Sequence, residues 1–188
     1  MRDQPRARGI RPFLTAAATL VAASALVSLS ASHAREARRA DALKAGYLFN
    51  FLKFVDWPPL APTDTLTVCL LGESSVYDEF VAALADKRLG TRQLVARRLA
   101  AAEPLAPCQV LYIDAGQFPS AADLIVTRPA ALLTVSDAPD FLRNGGIIAL
   151  FDEGNHLRFR ISVDNARHAN LRISSQLLQL ASAVEREG

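Results

Sequence analysis

TLTVCLLGESSVYDEFVAALA, residues 65–85, changes period halfway along. Residues 66–71 are a short apolar run closed by a glycine, the pattern of a buried strand, whereas in residues 76–85 the apolar positions recur at helical spacing. A buried strand followed at once by an amphipathic helix is the unit of an α/β sandwich, and the same alternation recurs downstream. Strands are predicted around residues 93–99, 109–114 and 132–136, with a helix around 121–127. Gly145-Gly146 then turns into a hairpin of residues 147–151 and 157–163, connected through Asp152-Glu153-Gly154-Asn155, and residues 173–184 have the pattern of a closing helix. Upstream, Asp41 is placed to cap a helix reaching about residue 55, and Pro58-Pro59 ends it because proline cannot continue the hydrogen-bond ladder. The predicted fold is a three-layer α/β sandwich with a mainly parallel sheet, an antiparallel edge hairpin and a C-terminal helix.

Residues 1–34 read as an address. Arg2, Arg6, Arg8 and Arg11 precede an uncharged Ala/Leu/Val/Ser run over residues 13–31, and Ser32-His33-Ala34 offers small residues for cleavage. A signal peptide over residues 1–34 and a single domain over residues 35–188 are expected, which places the mature chain in the periplasm. The rival reading of the apolar run is an uncleaved membrane anchor, for which its Ala, Ser and Thr content is poor. The whole chain carries +2, but residues 1–34 hold four arginines and one aspartate, leaving 17 basic against 18 acidic residues, a net charge of −1, in residues 35–188. Without a positive field or any Lys/Arg cluster larger than pairs such as Arg97-Arg98, nucleic acid is excluded as a partner.

Residues 44–59, KAGYLFNFLKFVDWPP, concentrate aromatics. Leu43, Tyr47, Leu48, Phe51, Leu52, Phe54 and Val55 fall within an arc of about 180°, wider than the ~100° an ordinary surface helix buries. Either the helix is pressed deeply against the sheet, or part of the stripe is an exposed face for another protein or a second copy, which would make a homodimer.

Searches for chemistry return little. There is no G-x-S-x-G, H-E-x-x-H, C-x-x-C, P-loop or G-x-G-x-x-G, and His156 and His168 have no second ligand at metal spacing. No catalytic residue, metal or cofactor is expected. Asp114 and Ser136 end successive predicted strands, where α/β sheets collect function. A phospho-receiver would also need a second acid after the first strand and a lysine after the fifth, and the chain has neither. A solute-binding module remains the alternative, with Asp114, Ser136 and Arg172 as polar anchors.

Cys69 lies within the first predicted strand and Cys108 just before residues 109–114. In an oxidising compartment a disulfide follows if these strands are neighbours; otherwise the two are inert buried thiols.

Five segments taken in order resemble the YfiR-like family of exported proteins: KAGYLFNFLKFVDWP (44–58), CQVLYI (108–113), LLTVSD (132–137), NGGIIALF (144–151) and FRISVDNARHANLRISSQLLQLA (159–181). The resemblance implies a periplasmic repressor without catalysis. It binds the periplasmic sensor domain of an inner-membrane diguanylate cyclase, or another membrane signalling protein, and lowers cyclic-di-GMP and biofilm formation. An outer-membrane lipoprotein sequesters such repressors, and the family pattern also contains the Cys69–Cys108 pair. A second cysteine pair of some relatives is missing here, which puts redox control in question. Interface cores favour aromatics and arginine, so the expected partner-binding residues are Phe51 and Trp57 on the outer flank of the first helix, together with Leu171, Arg172, Ile173 and Ser174.

Overall fold

The computed structural model describes residues 14–58, 65–84, 87–100, 103–106, 108–154 and 156–185, with side chains from residue 32 onward. Two compact units are present, Met1–Arg39 and Ala40–Gly188. In chain order the elements are α1 (Leu14–Phe54), β1 (Val55–Asp56), β2 (Thr65–Leu71), α2 (Ser75–Leu84), β3 (Arg88–Leu89), β4 (Arg92–Leu99), β5 (Val110–Ile113), α3 (Phe118–Val126), β6 (Leu133–Ser136), β7 (Ile148–Glu153), β8 (His156–Ser162), α4 (Val163–His168), β9 (Arg172–Ile173), α5 (Ser175–Leu180) and β10 (Ala183–Glu185).

The expected helix start at Asp41 is corrected. α1 is already helical at Leu14, because its 41 residues contain no proline and a single glycine, Gly46. The arginines of the expected signal peptide, Arg2 to Arg11, lie outside the described residues. Among the described residues no helix is long and apolar enough to cross a membrane.

Eight strands form one sheet in the order β10-β8-β7-β6-β5-β2-β4-β3, and β1 and β9 form a separate two-stranded sheet. β4, β2, β5, β6 and β7 run parallel; β8 folds back antiparallel on β7 as the expected hairpin, and β10 joins β8 in parallel. Counted along the chain, the parallel strands are ordered 2-1-3-4-5, a doubly wound arrangement that reverses direction between β2 and β5.

β2 shows why both faces are dry. Leu66, Val68 and Leu70 enter a core shared with α1, α2, α4 and α5, while Cys69 and Leu71 enter a second core under α3. That alternation of apolar with apolar turns the run into the middle layer of three. Parallel pairing sets Cys69 beside Leu111 of β5, so Cys108, three residues earlier, comes within bridging reach. The Cys69–Cys108 disulfide is formed, with Cα atoms 5.8 Å apart, in the core under α3.

The closing helix expected over residues 173–184 is replaced by β9, α5 and β10, and the short helix α4 precedes them. Two serines set these boundaries. Ser162 Oγ accepts from Asn165 N at 3.2 Å and caps α4; Ser174 Oγ accepts from Leu177 N at 3.2 Å and caps α5. The left-handed Asn170 (φ 57°) ends the α4 turn, and Ile173 is drawn into a strand by Val55 opposite it. α5 stops after Leu180 because Ser182 N donates to Phe159 O at 2.9 Å, which pulls the chain onto the sheet edge.

Candidate partner-binding site

The aromatic segment divides between core and surface. Phe51 is 1% exposed, its ring 5.2 Å from that of Phe159 and 5.8 Å from that of Tyr47. Tyr47 is half-buried and donates its hydroxyl to Leu157 O at 2.9 Å. The placement of Phe51 on an outer flank is therefore corrected: the width of the stripe reflects a helix sunk between the sheet and α5. Leu171, expected on the surface, is also buried, and its backbone N–H donates to Ala166 O at 2.8 Å.

After α1 the chain straightens into β1, and its antiparallel pairing with β9 sets Val55 opposite Ile173 and Asp56 opposite Arg172. Residues opposite one another across an antiparallel pair share a face. Val55 and Ile173 turn to the core, where Val55 is buried and Ile173 half-buried, which leaves Asp56 and Arg172 exposed on the other side. Ser174 N closes the junction by donating to Phe54 O at 2.9 Å, and its hydroxyl is occupied as the α5 cap.

The pairing opens a basin of about 620 Å³ lined by Asp56, Trp57, Pro58, Arg167, Asn170, Leu171 and Arg172. Trp57 is half-buried, and its Nε1 is buried without a hydrogen-bond partner among the described residues. Arg172 is exposed and makes no ion pair among the described residues, whereas Arg167 reaches Asp164 at 3.2 Å. Of the six expected partner-binding residues, Trp57, Leu171 and Arg172 thus meet at one place; Ile173 and Ser174 hold the β1–β9 junction beside it, and Phe51 lies apart in the core against Phe159. Arg167, Asn170 and Asp56 were not foreseen. The sequence signal for Arg167 and Asn170 is the polar stretch RHAN, 167–170, and its charge pattern does not reveal that a short helix will fold it back on residues 56–58.

Of the alternative anchors, Asp114 and Ser136 lie at the neighbouring ends of β5 and β6 and Arg172 lies in the other sheet. Ser136 is fully buried and its Oγ accepts from Ala138 N at 3.0 Å; Asp114 Oδ1 accepts from the Tyr112 hydroxyl at 3.0 Å. At the carboxyl ends of β5 and β6 the prominent polar contact is Lys44 Nζ on Asp137 Oδ2 at 2.6 Å, with Asp137 Oδ1 accepting from Ala115 N at 2.7 Å. Burial pulls the Lys44 pKa down, but the hydrogen bond and charge of Asp137, with Asp41 and Asp114 behind, more than offset it, and the pKa is raised. Burial likewise pushes the Tyr112 phenol well above its ordinary value, with the charges of Asp137 and Asp114 adding to the effect. These groups tie α1 to the strand ends, and among the described residues no cluster of His, Cys, Asp and Glu is arranged to hold a metal.

Comparison with known proteins gives the lineage. A sequence model described as YfiR/HmsC-like, DUF4154, matches residues 41–182. No curated protein matches the chain significantly. Among solved structures, a conserved domain protein from Vibrio cholerae O1 biovar El Tor strain N16961 is similar at 14% identity, over 63% of this chain and 54% of that one, with a TM-score of 0.48. An ABC domain in complex with L-Trp from Streptococcus pneumonia is similar at 12% identity, over 65% of this chain and 56% of that one, with a TM-score of 0.46. The chain therefore spans little more than half the length of these structures. With the matched segment running from within α1 through α5, the chain belongs to the YfiR/HmsC-like family.

Proposed function

We propose that the chain is a non-catalytic periplasmic repressor that binds the periplasmic sensor domain of an inner-membrane diguanylate cyclase and holds the enzyme inactive, with the Trp57–Arg172 basin as the contact. The observation that carries this reading is the β1–β9 pairing, which joins two segments more than a hundred residues apart into one exposed patch. An unpaired guanidinium beside a half-buried indole is the residue chemistry that dominates interface hot spots. The repressor needs no reacting group. By binding the inactive conformation of the cyclase more tightly than the active one, it shifts that equilibrium by the difference in affinity. An outer-membrane lipoprotein competing for the same basin would release the cyclase.

The test is retention of the purified sensor domain on the immobilised mature protein, for wild type and for Arg172→Ala and Trp57→Ala. Each substitution is expected to weaken binding by about tenfold or more, the range of a hot-spot residue. Deletion of the gene is expected to raise cyclic-di-GMP in the native host. Unchanged cyclic-di-GMP together with no retained sensor domain would remove the repressor reading.

A further inference from the structure

We propose that the corner where α1, the end of α2 and the β3–β4 hairpin meet is a binding site for a phosphate group. Lys53 Nζ lies 4.2 Å and Lys87 Nζ 4.5 Å from the centroid of one ring, that of Phe49. Cation–π attraction to one aromatic ring thus gathers two ammonium groups. Arg88, the next residue, donates a guanidinium N–H to Thr91 O. Beside them lies a depression of about 240 Å³ lined by Leu84, Lys87, Arg88, Gln93 and Leu94.

Five arginines elsewhere on the surface, unlike Arg172, are compensated. Arg97, Arg98, Arg143, Arg158 and Arg167 each sit on a carboxylate. Lys53, Lys87 and Arg88 do not: among the described residues their side chains meet only Asn50 Oδ1, the Phe49 ring and the Thr91 carbonyl. Lys53 of α1, Lys87 just before β3 and Arg88 of β3, none of them on a described carboxylate, thus lie at one corner of a domain whose residues 35–188 carry a net charge of −1. A compact anion with more than one charge and oxygens on several sides would accept from the Lys87 ammonium, the Arg88 guanidinium and the Gln93 amide that line the depression, with Lys53 adding positive charge nearby. Phosphate has that shape and charge, whereas a carboxylate presents only two oxygens in one plane. The two leucines give the depression an apolar floor, which suits a phosphate ester. Phosphate could come from a soluble ester or from a phospholipid headgroup. The site uses different residues from the Trp57–Arg172 basin and is independent of the cyclase reading.

The experiment uses the mature protein and its Lys87→Glu/Arg88→Glu variant, both positions being exposed. Inorganic phosphate is titrated against the melting temperature, with sodium chloride at matched ionic strength as control, and flotation is measured with vesicles of phosphatidylglycerol in phosphatidylcholine and of phosphatidylcholine alone. A rise in melting temperature with phosphate but not chloride, at least tenfold weaker in the variant, supports a soluble phosphate ligand. Flotation only with phosphatidylglycerol, lost in the variant, supports a headgroup. If the double variant does not fold, Lys53→Gln carries the same comparison. Equal response to phosphate and chloride with no vesicle preference, or a charge-altered variant that binds like wild type, overturns the site.

Discussion

Phe51 and Arg172 set the two extremes of what one side chain does here. Phe51→Ala would empty a ring-sized space between α1 and β8 and is expected to cost about 3–5 kcal/mol, read by denaturant unfolding. Arg172→Ala, at an exposed and unpaired position, is expected to leave stability within about 0.5 kcal/mol while weakening partner binding. Lys44 is the titrating residue of interest. Its pKa is raised above the ordinary 10.5, so the stability it contributes is fully present below pH 10.5 and is lost as pH rises through the higher folded value. Urea midpoints of wild type and Lys44→Met should therefore differ at pH 7, by about 1–3 kcal/mol for a charge-assisted hydrogen bond to Asp137, and converge only above pH 10.5. A gap that closes below pH 9 would contradict this assignment. Core residues of this kind were legible by type in the sequence. Whether Phe51 or its neighbour two turns away faced solvent was not, because periodicity names a face of a helix without naming what covers it.

At the scale of elements, β2, α2, β4, β5, α3, β6 and the β7–β8 hairpin fall within a few residues of their sequence expectation. Each is decided locally, by an apolar run bounded by glycine or proline or by helical spacing. The closing segment differs because its partners are distant: Val55 recruits Ile173 into β9, and Phe159 recruits Ser182 away from α5. Two devices hold these joints. Ser174→Ala removes the α5 cap and should cost about 1 kcal/mol, visible as a lowered melting temperature. The disulfide between β2 and the start of β5 closes a separation of 39 residues and should stabilise by about 2–4 kcal/mol in the chain-entropy view, compared with the Cys69→Ser/Cys108→Ser pair. Thiol titration of the unfolded, unreduced chain should find no free cysteine; two per chain would contradict the bridge.

For the whole molecule, export and binding belong together. Removal of residues 1–34 is expected in the native host, with Arg35 as the new N-terminus, and intact-mass measurement of the periplasmic protein decides it; a product that still begins at Met1 excludes cleavage. The layered α/β class, the two-sided burial of β2, the cysteine pair and the family likeness could all be read from the chain, because apolar period, composition and ordered motifs are properties of neighbours in sequence. The shape of the candidate site could not. Trp57 and Arg172 were separate suspicions until β1 paired with β9, and Phe51 left the surface only when α5 and Phe159 closed over it. Ser136 and Asp114, well placed by the rule of strand ends, turned out to accept hydrogen bonds from Ala138 and Tyr112 nearby. Which polar group stays free and which apolar face stays open is set by contacts between residues far apart along the chain, and local sequence preference carries no record of those contacts.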